Sequence, residues 1–246
     1  MSIPRFFYQN TINNDSNILL PKNIILHSIQ ALRMKNGDPC ILFNGNGIDY
    51  YCIIKIINNK IYATVKNFYQ NKSELPGKII LVQAITVKNK MDLIVEKATE
   101  LGVNKIIPLN SNRIIKKFNS EKSTKYVNHW KNIAISASEQ CGRNQIMNIE
   151  YPISFHEFIK KENYDLLIIC EPCSNNKMKD ILYKYKNTNN INIAIIIGPE
   201  GGWTESEKLI AKTHNILDVN IGPRILRTET AGIVAITSIL TILNWF

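Results

Sequence analysis

The chain reads Gly198-Pro199-Glu200-Gly201-Gly202 immediately after an apolar run, Ile193–Ile197. It reads Ile221-Gly222-Pro223-Arg224-Ile225-Leu226-Arg227-Thr228-Glu229-Thr230 at the end of another run that begins at Leu217. Glycine permits positive φ angles and a close approach of the backbone to a ligand. Neither stretch has the spacing of a Rossmann or Walker loop. Two backbone-rich loops at one sheet edge could grip an adenine through main-chain groups, and the alternative is a pair of ordinary strand-to-helix turns.

Strands and helices alternate from residue 78 onward, which predicts an α/β domain with a mostly parallel sheet covered by helices. Ligands bind such sheets at the carboxyl ends of the strands, where both glycine stretches lie. The predicted strands are Lys78–Thr86, Lys105–Leu109, Tyr164–Cys170, Ile191–Ile197 and Leu217–Ile221, and the predicted helices are Lys90–Leu101, Thr124–Gln140, Met178–Tyr185, Glu205–Thr213 and Thr230–Leu243.

The first 72 residues have a different pattern, with short strand-like runs separated by turn signals such as Asn44–Gly47 and Asn58-Asn59. One helix, Asn23–Met34, interrupts them. This pattern predicts a small β-barrel domain over residues 1–72 and the α/β domain over residues 73–246. The predicted strands are Arg5–Gln9, Pro39–Phe43, Ile48–Ile57 and Ile61–Phe68.

The charge balance favours an anionic partner. Lys and Arg number 30 against 20 Asp and Glu, a formal net charge of +10, so nucleic acid is the first partner to consider. Alternatively, many of the lysines are solvated surface charge in a chain rich in Ile, Asn and Lys. Arginine is more informative because its planar fork suits phosphates and base edges. The arginines are Arg5, Arg33, Arg113, Arg143, Arg224 and Arg227.

Several classes of protein are disfavoured. The first residues lack the apolar region of a signal peptide, and the apolar stretch Ile233–Phe246 is shorter than a membrane span. The five cysteines are scattered, which indicates a reduced, cytoplasmic protein. The one Cys170-x-x-Cys173 pair has no nearby histidine, so no metal site is predicted.

A third polar segment, Ser136-Ala137-Ser138-Glu139-Gln140-Cys141-Gly142-Arg143-Asn144, ends a predicted helix. A helix C-terminus explains Gly142. It does not explain why Glu139, Gln140, Arg143 and Asn144 occur together, and these residue types indicate a functional role. Cys141 as a nucleophile stays open, although no histidine shows a pairing signal.

These segments resemble the RsmE family, the 16S ribosomal RNA (uracil-N3)-methyltransferases of the SPOUT superfamily. The resemblance runs in the family's order through most of the chain. It is carried by Ile3–Phe6, Leu32–Asp38, Glu96–Val103, Ser138–Asn144, and Ile196–Gly202 with Ile221–Ala231.

The resemblance implies an N-terminal PUA-like barrel and a C-terminal domain with a trefoil knot. It implies a homodimer, with the last helix in the interface, that methylates one uridine near the decoding centre of 16S rRNA in the assembled small subunit. The knot loops would hold S-adenosylmethionine through Ile197, Gly198, Glu200, Gly201, Gly202, Ile221, Gly222, Leu226 and Thr228. Residues expected to contact RNA are Arg5, Arg33, Lys35 and Asn144.

The chemistry narrows the catalytic candidates. Uracil N3 is protonated at neutral pH and nucleophilic only as the imide anion, so the site needs a proton acceptor or donors that stabilise charge on the uracil oxygens. Arg143 and Arg227 are the cationic candidates, with Arg5 contributed by the N-terminal domain. Glu139 and Glu229 are the candidate bases, and the sequence does not choose between them; Glu229 could instead serve as a helix N-terminal carboxylate.

Two rival functions stay open from the sequence. One is a ribose 2′-O-methyltransferase of the same superfamily, and the other is an RNA-binding assembly factor without catalysis. The specificity for N3 rests on the resemblance alone.

Overall fold

The chain divides into two units, each built around a β-sheet. The computed structural model describes residues 3–13, 16–114, 120–161 and 164–246. Unit 1 comprises the described residues up to Glu74 together with Ile135–Ile146, and unit 2 comprises those of Leu75–Ala134 and Met147–Phe246. The sequence predicts a boundary between residues 72 and 73, but it does not predict that residues 135–146 cluster with the N-terminal part.

Unit 1 contains a five-stranded sheet. Its strands are β1 (Arg5–Phe7), β2 (Asn17–Leu19), β3 (Pro39–Phe43), β4 (Ile48–Ile57) and β5 (Lys60–Gln70). Their order is β1-β3-β4-β5-β2, with β1 and β3 parallel and the other neighbours antiparallel.

The β4–β5 hairpin follows from its sequence. The two turn residues, Asn58 and Asn59, have φ angles of 49° and 59°. Two left-handed residues in succession match the twist of the flanking strands, and Asn tolerates that conformation better than most residues. Tyr50, Cys52 and Ile54 alternate along β4 and are buried, so one face of the hairpin covers the core of unit 1.

A short helical segment lies between β2 and β3. Helix α1 (Lys22–Ile25) continues as a π-helical turn, Leu26–Ala31. The segment ends three residues before the predicted end at Met34. Arg33 follows it with a φ of 55°, a left-handed conformation that stops a right-handed helix.

Unit 2 contains a parallel sheet. Its strands are β6 (Lys78–Ala84), β7 (Lys105–Asn110), β8 (Asn148–Ile149), β9 (Ile153–Ser154), β10 (Leu166–Cys170), β11 (Asn192–Ile197) and β12 (Leu217–Val219). Their order is β12-β10-β11-β6-β7-β8, and β9 also pairs with β7. The helices are α2 (Lys88–Glu100), α3 (Ser120–Cys141), α4 (Phe155–Ile159), α5 (Met178–Leu182), α6 (Glu205–Thr213) and α7 (Thr228–Ile242). The end of α3, from Ile135 onward, belongs to unit 1.

The centre of this sheet is apolar on both faces. β11 pairs with β10 on one side and β6 on the other, and no residue of Ile193–Ile197 is more than 1% exposed. A continuous apolar run is what a parallel strand covered on both faces requires. The predicted parallel sheet covered by helices is therefore confirmed. The closure of the unit 1 sheet into a barrel and a knot in unit 2 stay predictions.

Within the described residues, no helix is both long and apolar enough to cross a bilayer.

Candidate active site

A cavity of about 560 Å³ opens in unit 2 where β10, β11 and β12 end. The loops that follow these strands line it, which is the usual ligand position in a parallel sheet. All the predicted cofactor-binding residues line this cavity: Ile197, Gly198, Glu200, Gly201, Gly202, Ile221, Gly222, Leu226 and Thr228. The structure thus brings together two loops that are separated in the chain by α6 and β12.

The loop after β11 is a tight turn over a buried indole. The Gly202 N–H donates to the Pro199 carbonyl (2.9 Å), and Gly202 has a φ of +67°. A Cβ on Gly198 would lie 3.0 Å from the Trp203 ring, whose Nε1 donates to the Cys170 carbonyl (3.2 Å). Glycine is therefore needed at residue 198 for packing and at residue 202 for its backbone conformation.

Gly201 is constrained by an arginine on another loop. A Cβ on Gly201 would lie 3.2 Å from the Arg113 Cβ. The Arg113 Nη1 also donates to the Gly201 carbonyl (3.0 Å). The sequence explains Gly201 by close approach to a ligand, whereas the structure shows a close approach to Arg113.

A chain of hydrogen bonds ties the start of α7 to the glycine loop. The Thr228 hydroxyl donates to the Gly198 carbonyl (2.7 Å) and accepts from Gln83 Nε2 (2.9 Å). Gln83 lies on β6 and is fully buried. The central sheet thereby fixes the spacing between the two cavity loops.

Next to the cavity, one lysine bridges two carboxylates. Lys90 Nζ lies 2.9 Å from Glu200 Oε1 and 3.5 Å from Glu229 Oε2. Burial tends to raise the pKa of Glu200, but hydrogen bonds from Thr86 and Lys90 outweigh it and hold that pKa below its usual range. Glu229 is buried in the first turn of α7, and its Oε2 has no hydrogen-bond partner among the described residues.

Cations outnumber carboxylates in the lining. Arg227 is exposed in this lining, and its catalytic role stays a prediction. Sequence reasoning did not assign Arg113 and Arg224 to the site, although both stand out as arginines in a lysine-rich chain. The charged residues of the lining are Arg113, Arg224, Arg227, Lys208, Glu171 and Glu200.

Two cysteines, Cys170 and Cys173, also line the cavity. Burial raises the pKa of Cys170 to about 12, so its thiol is protonated at neutral pH and is not a thiolate nucleophile. Among the residues that the structure describes, no group of three or more His, Cys, Asp or Glu side chains could hold a metal ion.

The segment after α3 lies in unit 1, and the described cavity lining contains Arg227 but not Arg143. Arg143 is 3% exposed. Its Nη2 and Nε lie 2.7 and 3.2 Å from the two carboxylate oxygens of Glu74. These are the contacts of a residue that stabilises unit 1, and a catalytic role for Arg143 stays a prediction.

Arg5 and Asn144, both predicted to contact RNA, converge on Asp49, and their RNA contacts stay predictions. Arg5 binds the Asp49 carboxylate through two nitrogens (2.6 and 3.0 Å). Asn144 is fully buried; its Nδ2 donates to Asp49 (2.8 Å) and to the Ile48 carbonyl, and its Oδ1 accepts from the Gly47 N–H. The other two predicted RNA contacts, Arg33 and Lys35, are exposed on the surface of unit 1.

Glu139 is also held within unit 1. Its Oε1 accepts from the Phe7 N–H (2.9 Å), and its Oε2 lies 3.6 Å from His27 Nδ1. Burial is the main reason that the pKa of Glu139 is raised, although the Phe7 N–H opposes it. The raised pKa suits a base, and a catalytic role for Glu139 stays a prediction.

Comparison with known proteins adds to this geometry. Residues 73–240 match the RNA methyltransferase domain family, and residues 20–66 match the RNA methyltransferase PUA domain family. The chain is 34% identical to a ribosomal RNA small subunit methyltransferase E from Buchnera aphidicola over 99% of this chain and 95% of that protein. It is 28% identical to the protein of that name from Bacillus subtilis over 87% and 85% of the two chains.

Two solved structures share the fold over nearly the whole chain. One is a ribosomal RNA small subunit methyltransferase E from Neisseria gonorrhoeae bound to S-adenosyl methionine, with a TM-score of 0.88, 31% identity and 98% of each chain covered. A structure from Legionella pneumophila in complex with the bound cofactor SAM has a TM-score of 0.91, 31% identity and the same coverage.

Proposed function

This chain belongs to the ribosomal RNA small subunit methyltransferase E family, and from that membership we propose that it methylates the small-subunit ribosomal RNA with S-adenosylmethionine. The observation that supports this most directly is the convergence of all the predicted cofactor residues on one cavity at the ends of three adjacent parallel strands.

The cavity fits this cofactor. Its volume of about 560 Å³ lies within the range of small-molecule sites. The Gly198–Gly202 loop offers main-chain groups with little side-chain bulk, which suits an adenine. When bound, S-adenosylmethionine supplies an electrophilic methyl group on a sulfonium. The residues that would hold it are those of the two glycine loops and Thr228.

The residues of this chain prepare the base for that methyl group. We propose uracil N3 of one uridine near the decoding centre as the target, within the assembled small subunit. Arg227 is exposed in the cavity lining and would stabilise negative charge on the uracil oxygens. Of the two candidate bases we favour Glu229, which directly follows Thr228 of the cavity lining and whose Oε2, 3.5 Å from Lys90 Nζ, accepts no hydrogen bond among the described residues.

We further propose a homodimer formed through α7. The helix is rich in apolar residues, of which Ala235, Ile236, Ile239 and Leu240 are buried, and it packs against α2, α5, β6 and β11. Such a helix is normally buried all round. A groove of about 350 Å³ runs along its other side, lined by Ile233, Val234, Thr237, Ser238, Thr241 and Ile242. The same proposal includes the knot predicted for unit 2, the closed barrel of unit 1, RNA docking through Arg33 and Lys35, and a cytoplasmic location.

The test uses small subunits purified from a strain that lacks the endogenous modification. They are incubated with the protein and S-adenosylmethionine, and their nucleosides are mapped by mass spectrometry. Naked 16S rRNA serves as a parallel substrate. We expect 3-methyluridine at a single position, and more of it in subunits than in naked RNA.

Other outcomes select the rivals. A 2′-O-methylated nucleoside would identify a ribose methyltransferase. Cofactor binding without any methyl transfer would favour the assembly factor. A Lys212→Ala variant, which changes an exposed cation outside the cavity lining, should behave like wild type.

A further inference from the structure

Glu207 is a buried carboxylate that joins two loops of unit 2. It is 2% exposed and accepts hydrogen bonds from the Thr204 N–H (2.9 Å) and hydroxyl (2.7 Å), as in an ordinary helix capping box. It also accepts from Ser111 Oγ (2.8 Å) and the Asn112 N–H (3.0 Å) in the loop after β7. A cap for α6 does not need the last two bonds. They fix the loop after β7 against the end of the glycine loop.

The carboxylate is held in its charged form. Burial tends to raise the pKa of Glu207, but the hydrogen bonds from Thr204, Asn112 and Ser111 outweigh it and keep that pKa below its usual range. The hydrogen bonds that Glu207 accepts from the two loops are therefore intact at neutral pH.

Arg113 is the next residue of the loop that Glu207 holds. It lines the cavity, is exposed, and donates from Nη1 to the Gly201 carbonyl (3.0 Å). Among the described residues, that carbonyl is the only hydrogen-bond partner of the Arg113 guanidinium. A guanidinium has five N–H groups, so most of its donors are available to a ligand.

The charges of the cavity lining indicate what kind of ligand binds there. Glu171 lies 3.6 Å from Lys208, and Glu200 lies 2.9 Å from Lys90, so each carboxylate of the lining has a lysine partner. The three arginines of the lining have no carboxylate partner among the described residues: Arg113, Arg224 and Arg227. A cavity with unpaired guanidinium groups favours an anionic ligand, and the planar fork binds two oxygens of one carboxylate or phosphate.

We propose that Arg113 binds an anionic pair of oxygens at this cavity and that Glu207 positions it. The inference rests on the proposed function, which supplies two such anions: the carboxylate of S-adenosylmethionine and a phosphate of the ribosomal RNA. Within the described part of the two loops, the contact with Gly201 uses only one donor of Arg113 and its Cβ.

Equilibrium binding tests the proposal without requiring turnover. Wild type, Arg113→Ala, Arg113→Lys and the control Lys212→Ala are titrated with S-adenosylmethionine by calorimetry. The same proteins are titrated with purified small subunits over a series of salt concentrations. If the wild type binds neither, the proposed function fails; if Arg113→Ala binds both as wild type does, only the inference about Arg113 fails.

We expect Arg113→Ala to bind one of the two ligands more weakly than wild type does. If the anion is the cofactor carboxylate, Arg113→Ala weakens cofactor binding about tenfold or more, as expected for a lost charge-assisted hydrogen bond, and Arg113→Lys recovers part of it. If the anion is an RNA phosphate, cofactor affinity is unchanged, subunit binding weakens, and the salt slope falls by about one unit.

The role of Glu207 is tested by coupling. Glu207→Gln should weaken binding of the same ligand that Arg113→Ala affects. The double variant should show no further loss of affinity because Glu207 acts through Arg113. Additive losses would contradict the positioning role. Because a change at a buried carboxylate can prevent folding, Ser111→Ala is measured in parallel; it removes one of the loop contacts and should give a smaller loss in the same titration.

Discussion

Arg143 is expected to stabilise unit 1 rather than to take part in the chemical step. Its guanidinium pairs with the Glu74 carboxylate through two nitrogens. We therefore expect Arg143→Ala to lower the free energy of unfolding of unit 1, while the folded variant retains a near-normal single-turnover rate of methylation.

The size of the effect follows from the burial of the pair. The Arg143 side chain is 3% exposed and that of Glu74 is 20% exposed. Breaking a fully buried pair costs about 3–5 kcal/mol, whereas exposed pairs contribute about 0–1 kcal/mol. Glu74 also accepts from the Gln145 N–H (3.2 Å), so its charge keeps one partner in the variant. We expect a loss of about 2–3 kcal/mol.

The assay must report on unit 1 specifically. The three tryptophans, Trp130, Trp203 and Trp245, all belong to unit 2, so indole fluorescence follows the wrong part of the molecule. Hydrogen exchange of the β4 and β5 amides follows unit 1 directly. A double-mutant cycle with Glu74→Ala isolates the energy of the pair from the cost of truncation.

One combination of results would refute this reasoning. In that combination, the Arg143→Ala variant has wild-type hydrogen exchange in β4 and β5. Its single-turnover rate at saturating cofactor and subunits nevertheless falls about 100-fold. Arg143 would then act on the reacting base, as the sequence alone predicts.

Three further changes test the cavity and the Asp49 cluster. Arg227→Ala should lower the single-turnover rate about 100-fold and change the unfolding free energy by less than about 0.5 kcal/mol because the side chain is exposed; a raised Michaelis constant with normal turnover would instead indicate phosphate binding. Thr228→Val removes the donor to the Gly198 carbonyl, which should cost about 1–3 kcal/mol and weaken cofactor binding in calorimetry, whereas Thr228→Ser should not. Burial raises the pKa of Asp49, but hydrogen bonds from Arg5 and two amides outweigh it and lower that pKa, so unit 1 should lose stability as the pH falls below about 4. Asp49→Asn should flatten this acid transition in hydrogen exchange, and an unchanged transition would contradict the assignment.

The fold of unit 2 could be predicted because its signals are local and strong. The apolar run of β11 and the glycines after it specify a buried parallel strand with a ligand loop, and α6 is found at the predicted residues, Glu205–Thr213. The short strands β2, β8 and β9 were not predicted. They have two or three residues each, too few for a periodic pattern, and their strand conformation depends on the neighbours they pair with.

The candidate site was predicted in part, for a similar reason. Residues within one loop, such as Gly198 and Gly202, share a signal that can be read along the chain. Arg113 has no such signal, because its place beside Gly201 depends on how the loop after β7 meets the glycine loop. Arg143 and Asn144 do have a dense polar signal, but polar residues gathered for a buried network look the same in sequence as residues gathered for a reaction.

The make-up of unit 1 has a consequence for how this chain can be divided. A recombination event or a chimaera that joins two sequences at residue 74 would transfer Arg5 and Asp49 without Asn144. The buried Asn144 amide would then face residues of a foreign sequence in place of its hydrogen-bond partners. Removing residues 1–72 to isolate the α/β domain would likewise strip Glu139 and Asn144 of the groups that bind them. Any transplant of the N-terminal part therefore has to carry residues 135–146 with it, so the stretch that separates the two sequence patterns is not a place where the protein can be cut.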